Sequence, residues 1–183
     1  MSKLETNTID NISGSSTLTI GDSNTSTIAL KSGATLTNFP DNTPAFEATL
    51  GSNQTISNNA YVKVTIDTEV YDSDGKFASN KFTPTVAGKY FVYGSAKLVT
   101  DTAQLQLGNC AIYKNGSIYA ERQIDFRSSP AFGCNVDVSA TIDMDEDDYV
   151  ELYAKIYKTS GTQIYVSSSN KTTNFGAYRI IGA

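Results

Sequence analysis

The segment that most constrains the fold spans residues 76–95 and reads KFASNKFTPTVAGKYFVYGS. A proline-containing turn precedes an aromatic run, residues 90–93, in which both alternating sets of positions are apolar or aromatic. Pro84 cannot donate a backbone hydrogen bond, and Gly88 allows the chain to reverse direction. A strand that is apolar on both faces must be covered on both. We therefore expect a second sheet on one face and a neighbouring copy of the chain on the other.

The composition of the chain favours β structure. Among 183 residues there are 11 Tyr and 8 Phe, and Ser, Thr and Asn are frequent between the apolar runs. No window keeps an apolar period of 3.6 residues, so no helix is predicted. A chain of this length fits one domain with an appended segment.

Charge and residue usage exclude several classes of function. The net charge is -5 and Lys and Arg do not cluster, so binding to a nucleic acid is not expected. Histidine is absent, which removes Ser-His and Cys-His nucleophile pairs and histidine metal sites. The N-terminal residues are polar and no apolar run could span a bilayer, so we expect assembly in a cytoplasm without membrane insertion.

The two cysteines, Cys110 and Cys134, could pair only with each other within one chain. Cytosolic thiols stay reduced, so we expect two small apolar side chains. Cys110 is in phase with Ile112, and Cys134 is in phase with Val136. Both are therefore predicted to point into the core.

The first 43 residues differ from the rest. Residues 1–12 are polar, and they fit either a disordered terminus or an anchor peptide that docks into a larger assembly. Residues 13–39 contain short alternating pieces with too few apolar side chains for an isolated sheet. Such a segment is either disordered or intertwined with copies of itself, and the recurrence of strand and turn favours the second. With a Pro-containing linker ending at Thr43, we predict a stalk over residues 13–43 and a head over residues 44–183.

The head contains longer alternating strands. Asn115-Gly116 between two apolar runs predicts a tight hairpin. Alternation also predicts strands over residues 61–70, 135–142 and 149–157, with one apolar face each. Strands of this length and spacing are typical of a sandwich or barrel.

Several motifs of the head, in order and spacing, resemble the complement 1q globular head, whose jelly roll is shared with tumour necrosis factor. The motifs are DGKF at 74–77, KFTP at 81–84, AGKYFVY at 87–93, IYKNG at 112–116, DYVEL at 148–152 and FGAYRII at 175–181. The resemblance covers about residues 45–182 and implies a ten-stranded antiparallel jelly-roll sandwich that forms compact homotrimers. On this basis Tyr90, Phe91 and Tyr93 are predicted at the trimer interface, where aromatic residues are enriched.

The N-terminal part departs from that family, because it has no Gly-x-y repeat. Residues 13–39 are instead similar to the stalks of bacteriophage tail-fibre and head-fibre proteins. The combination predicts a homotrimeric fibre or knob on the surface of a virion, held to the capsid or tail through residues 1–12. Its expected function is adhesion to a host-surface glycan or receptor, and the alternative is a purely architectural decoration. An enzyme is not expected, because histidine and a nucleophile motif are absent.

Two further candidate sites follow from side-chain type. The run at 143–148, DMDEDD, could hold calcium through Asp143, Asp145 and Asp147, or it could be a solvated acidic turn. Calcium binding by some relatives of the family would agree with the first interpretation, and no other cofactor is expected. Tyr149, Tyr153 and Tyr157 share one face of a strand and form a candidate ligand face, which could stack on sugar rings or pack against another subunit.

Overall fold

The computed structural model describes residues 41–161 and 163–182, together with Ser32. These residues form thirteen β-strands and one 3-10 turn, Ser169–Lys171. The strands are β1 (Ala45–Thr49), β2 (Gln54–Thr55), β3 (Val62–Lys63), β4 (Thr68–Asp72), β5 (Phe77–Ala78), β6 (Lys81–Phe82), β7 (Gly88–Thr100), β8 (Leu105–Lys114), β9 (Ser117–Asp125), β10 (Gly133–Met144), β11 (Val150–Lys158), β12 (Ile164–Val166) and β13 (Asn174–Arg179).

The first of two sheets, sheet A, is built around the long strand β7. Strand β10 pairs with one edge of β7 over its whole length. Along the other edge, β13 pairs with residues 90–95 and β12 with residues 98–100. Strands β1 and β4 continue the sheet beyond β13, and β2 pairs with β12.

The second sheet, sheet B, is built around β11. Strand β8 pairs with one edge of β11, and β9 pairs with β8. The other edge of β11 carries β6 and β3, and β5 pairs with β6. All these pairings are antiparallel, so the predicted all-β antiparallel sandwich is confirmed. Four of the thirteen strands have only two residues, which is why the count exceeds the ten that the resemblance implied.

The core lies between the two sheets and contains an aromatic cluster. The ring of Phe46 on β1 lies 4.4 Å from that of Phe77, 4.7 Å from that of Phe82 and 5.2 Å from that of Phe175. Phe46, Phe82 and Phe175 are fully buried. Because their partners come from both sheets, this cluster fastens the two layers together.

The hairpin predicted at Asn115-Gly116 joins β8 to β9. The two residues have φ of 52° and 78°, the left-handed values that a two-residue type I′ turn requires. This prediction is confirmed, because the local chemistry of Asn and Gly decides the turn.

The single strand predicted over residues 61–70 is wrong. The chain pairs with sheet B at β3, then crosses the end of the sandwich and pairs with sheet A at β4. Val64 and Ile66 are buried during this crossing, whereas Val70 is 50% exposed. The alternating pattern over these ten residues therefore does not show that the chain passes from one sheet to the other.

The predicted anchor peptide, residues 1–12, lies outside the described residues. The same holds for the predicted stalk, residues 13–43, apart from Ser32 and residues 41–43. Within the part of the chain that the structure describes, no helix has the length and apolar character needed to cross a membrane.

Candidate functional site

The outer face of sheet A, turned away from the core, carries a group of aromatic side chains that we call the aromatic face: Tyr71, Phe91, Tyr93 and Tyr178. Phe91 on β7 lies directly opposite Tyr178 on β13, and their ring centroids are 5.5 Å apart. Tyr93 follows two residues after Phe91 and lies on the same face, at a ring distance of 6.1 Å. Tyr71 and Tyr178 are 44% and 38% exposed. The described chain therefore leaves an aromatic surface on sheet A open.

Polar contacts hold Tyr93 flat against the sheet. Its hydroxyl donates to Glu47 Oε2 on β1 at 3.0 Å. A Cβ placed on Gly176 of β13 would lie 2.4 Å from the Tyr93 ring, so the ring occupies the space of the missing side chain. Burial, followed by the hydrogen bond to Glu47, raises the pKa of Tyr93. Tyr93 is thus a neutral, fixed part of the surface at physiological pH.

An open groove of about 600 Å³ borders Phe91 and Tyr93 on this side of sheet A. Its other wall is polar and includes Arg122, Asn135 and Asp137. The face therefore combines aromatic rings with a charged and polar border, which is the usual anatomy of a protein–protein contact.

Tyr90 does not belong to the aromatic face, and its prediction as an interface residue is corrected. It lies one position before Phe91 on β7 and points the other way, into the core, where it is fully buried. Its hydroxyl donates to the Val86 carbonyl at 2.7 Å, and its ring is 5.8 Å from that of Phe82. Burial raises the pKa of Tyr90 to about 12.

The outer face of sheet B carries the predicted ligand-face tyrosines. Tyr149 lies at the hairpin end of β11, with Lys81 Nζ 4.7 Å from its ring centroid. Tyr157 lies at the opposite end of β11, beside Leu107 of β8. They are eight positions apart along an extended strand, roughly 26 Å, so they do not form one compact site.

Tyr153, midway along β11, instead joins two tyrosines from other segments. Its ring stacks on that of Tyr113 of β8 at 3.8 Å, with an angle of 23° between the planes. The ring of Tyr61, just before β3, is 6.0 Å from that of Tyr113. We call these three side chains the tyrosine row, and each of them is half-buried.

A network of polar side chains borders the tyrosine row. The Tyr61 hydroxyl donates to Glu121 of β9, and so does the side-chain amide of Asn109 on β8. The Asn109 amide also donates to Gln123 at 3.1 Å. On the opposite side, Lys63 forms an ion pair with Glu151 at 2.7 Å. Burial, and then the bond to Glu121, raise the pKa of Tyr61.

The predicted calcium site is not formed. No three acidic or cysteine side chains in the described residues lie close enough together to hold a metal ion, and this includes Asp143, Asp145 and Asp147. The organising residue of the acidic turn is Asp148, which pairs with Lys114 at 2.7 Å and accepts from Asn115 at 2.6 Å. These contacts hold the pKa of Asp148 at about 2. The acidic turn is therefore fastened by a lysine, while its other carboxylates point to solvent.

The cysteines lie on the core side of their strands, and neither is in a disulfide. Cys110 is fully buried, and burial raises its pKa. Cys134 is partly buried and packs against the core, which raises its pKa to about 11. Neither thiol has the lowered pKa of a reactive nucleophile.

Several residues of both surfaces were not identified from the sequence. The Asn115-Gly116 hairpin predicts the strand that contains Tyr113. Its position beside Tyr153 follows only once the pairing of β8 with β11 is known. Tyr178 lies in a strand that the sequence predicts, but its position opposite Phe91 follows only from the pairing of β13 with β7. Tyr61 and Asn109 have no sequence signal, because their meeting depends on how the segment before β3 runs beside sheet B.

Comparisons with known proteins support the fold. No protein-family model matches the chain, and a search of curated proteins finds no match either. Among solved structures, the globular domain of the zebrafish complement 1qA protein is similar, with a TM-score of 0.52 and 15% sequence identity over 75% of this chain and 97% of that chain. The head thus has a jelly-roll sandwich of the complement 1q and tumour necrosis factor type.

Proposed function

We propose that this chain is a virion structural protein: a homotrimeric fibre or knob on a phage particle, which attaches the particle to the host surface. The observation that carries the proposal is the aromatic face of sheet A, with Phe91, Tyr93 and Tyr178 packed against one another on an open sheet. Three copies would cover these faces around a three-fold axis.

The surroundings of the aromatic face support a subunit contact. Other exposed apolar side chains lie near the start of β7, where Val86 is 38% and Ile181 is 45% exposed. Ile181 is placed there by the hydrogen bond from the backbone N–H of Ile180 to the carbonyl of Lys89, 2.8 Å long. Clusters of exposed apolar side chains with a polar border mark interaction surfaces rather than ordinary solvent-facing sheet.

The phage context rests on the N-terminal part of the sequence. Residues 13–39 resemble fibre stalks, and residues 1–12 would join the head to the capsid or tail. The described chain enters the head at β1, whose Ala45 lies opposite Tyr178 near the start of β7. Loops 101–104 and 126–132 lie at the other end of the sandwich, where β7 ends, so they would face away from the particle. Many weak contacts from repeated trimers would give avidity without a deep pocket, and the role is binding rather than catalysis.

The trimer is tested by light scattering on the full chain. We expect three times the chain mass of 19.7 kDa, and we expect Phe91→Asp to give a folded monomer. Phe132→Asp is the matched control, since Phe132 is 66% exposed on a loop at the far end of the head; it should leave the mass unchanged. A monomeric wild-type chain at high concentration would overturn the trimer.

Adhesion is tested separately with fluorescently labelled trimer on a panel of bacterial hosts. Binding to the cells supports adhesion. If the protein is found on purified particles by immunogold labelling but binds no cell of a host that those particles infect, it is the architectural decoration instead.

A further inference from the structure

We propose that the tyrosine row on the outer face of sheet B, with Asn109 and Glu121, is a binding site for a neutral glycan. This deepens the proposed adhesion function and rests on it, because it names the surface and the ligand class. The two sheets turn their outer faces in opposite directions, so a trimer that covers the aromatic face of sheet A leaves the tyrosine row open.

Within the described part of the chain, the site contains a buried acceptor that receives no hydrogen bond. Asn109 is 1% exposed, and both contacts of its side chain are made by the amide nitrogen, to Glu121 and Gln123. Its Oδ1 accepts no hydrogen bond from the described residues. Buried side-chain oxygens are nearly always paired, so an unpaired one in a native structure calls for a donor from outside the chain.

Tyr61 lies beside this acceptor. Its ring lies over the outer face of sheet B, between Lys155, whose Nζ is 5.2 Å from the ring centroid, and Tyr113. Lys155 is the strand neighbour of Asn109 on β11, so Tyr61 covers the surface beside Asn109. The Tyr61 hydroxyl and the Asn109 amide both donate to the same oxygen, Glu121 Oε1. If the Tyr61 ring shifts, one ligand hydroxyl could donate to Asn109 Oδ1, and another could replace the Tyr61 hydroxyl and donate to Glu121.

The balance of charge points to a neutral ligand. Glu121 and Glu151 are matched by Lys63 and Lys155 around the row. An acidic polysaccharide would meet two carboxylates here, and a basic peptide would meet two lysines. Neither has an electrostatic advantage.

The chemistry of the row fits a sugar. A hexose has an apolar face of C–H groups and a rim of hydroxyls that both donate and accept. The tyrosine rings supply apolar area with a polar tip, while Glu121 and Gln123 accept and Lys63 donates. Few polar groups converging on aromatic side chains are typical of ligand sites.

The experiment uses the full-length trimer and two sets of probes, neutral oligosaccharides of hexoses and N-acetylhexosamines and acidic oligosaccharides of similar length. Because the chain contains 11 Tyr and no Trp, tyrosine fluorescence and ring NMR signals report binding directly. We expect binding to neutral probes, with Asn109→Leu and Glu121→Gln each weakening it about tenfold, the scale of a lost hydrogen bond. Tyr119→Phe is the matched control, since Tyr119 lies on the same strand as Glu121 but donates to Thr141 of sheet A.

Three results would overturn the site: no binding to any neutral probe, preference for acidic probes, or equal affinity of the wild type and both variants. Both variants nearly preserve side-chain size, and thermal melts verify that they are folded. If the trimer adheres to host cells while both variants adhere equally well, the site is wrong and the adhesion function stands. If the wild type is monomeric or binds no host, the proposed function fails instead.

Discussion

Tyr93 and Gly176 lie opposite each other where β7 pairs with β13, and the ring of Tyr93 occupies the position of a side chain on Gly176. A Cβ at Gly176 would lie 2.4 Å from the ring and from its hydroxyl oxygen. The smallest residue in the strand thus determines how flat the aromatic face is.

We expect Gly176→Ala to displace the Tyr93 ring and break its hydrogen bond to Glu47. The free energy of unfolding should fall by about 1–2 kcal/mol, as for the loss of a hydrogen bond to a charged group. Denaturant unfolding measures the change, and a Tyr93→Ala background provides the control. There the second substitution should cost almost nothing, because the two residues act through one contact. Equal costs in both backgrounds would contradict this coupling.

Tyr90 and Phe91 are neighbours with opposite roles, and alanine substitutions should separate them. Tyr90→Ala removes a fully buried ring, so we expect a loss of about 3–5 kcal/mol in stability. Phe91→Ala should leave the fold of the head intact and weaken self-association, measured by light scattering during dilution. Strong destabilisation by Phe91→Ala under conditions where the chain is monomeric would contradict its placement on an outer face.

Substitutions of Asn115 should separate the cost of its left-handed backbone conformation from the contribution of its side-chain hydrogen bonds. Asn115 has φ of 52°, and its side chain donates to Asp148 and accepts from the Tyr149 N–H. Asn115→Gly removes only these bonds. Asn115→Ala removes them too, and it leaves a residue with a Cβ in the left-handed region, where alanine is strained. We expect the alanine variant to be less stable than the glycine variant by about 1 kcal/mol. The urea midpoints of the two variants test this order, and equal midpoints would count against it.

Asp148 should make the head sensitive to acid. Its pKa is lowered from 3.8 to about 2, first by the hydrogen bond from Lys114. A lowered folded-state pKa means that the stabilisation is complete above about pH 4 and is lost as the pH falls towards 2. We expect Asp148→Asn to remove this part of the acid dependence in urea titrations.

The matched control for Asp148 is Asp147→Asn. It removes the same charge from the same turn, but the Asp147 side chain forms no hydrogen bond or ion pair with a described residue. If both variants flatten the acid profile equally, the effect reflects net charge rather than the contact with Lys114.

Much of the fold follows from local pattern. The alternation over 135–142 correctly predicts Val136, Val138 and Ile142 as inward, and the alternation over 149–157 correctly predicts the buried face of β11. In both strands one set of positions is polar enough to mark the outer face. At residues 90–93 both alternating sets of positions are aromatic or apolar. Alternation therefore places Tyr90 and Phe91 on opposite faces of β7 without showing which of them faces the core.

The candidate sites follow less directly. Identical spacing placed Tyr149, Tyr153 and Tyr157 on one face, which β11 does provide, but only Tyr153 acquires aromatic partners from other strands. The acidic run by itself indicates a set of equivalent carboxylates, whereas the position of Lys114 singles out Asp148.

The all-β class and the hairpin at Asn115-Gly116 follow from the sequence alone, because they depend on alternation and turn chemistry over a few residues. The tertiary structure decided which side of β7 is the core, where the chain passes from sheet B to sheet A before β4, and that Tyr61, Asn109 and Glu121 meet. Those outcomes depend on strand register and on crossings between sheets, which bring together residues far apart in the chain, such as Tyr61 and Glu121, 60 positions apart.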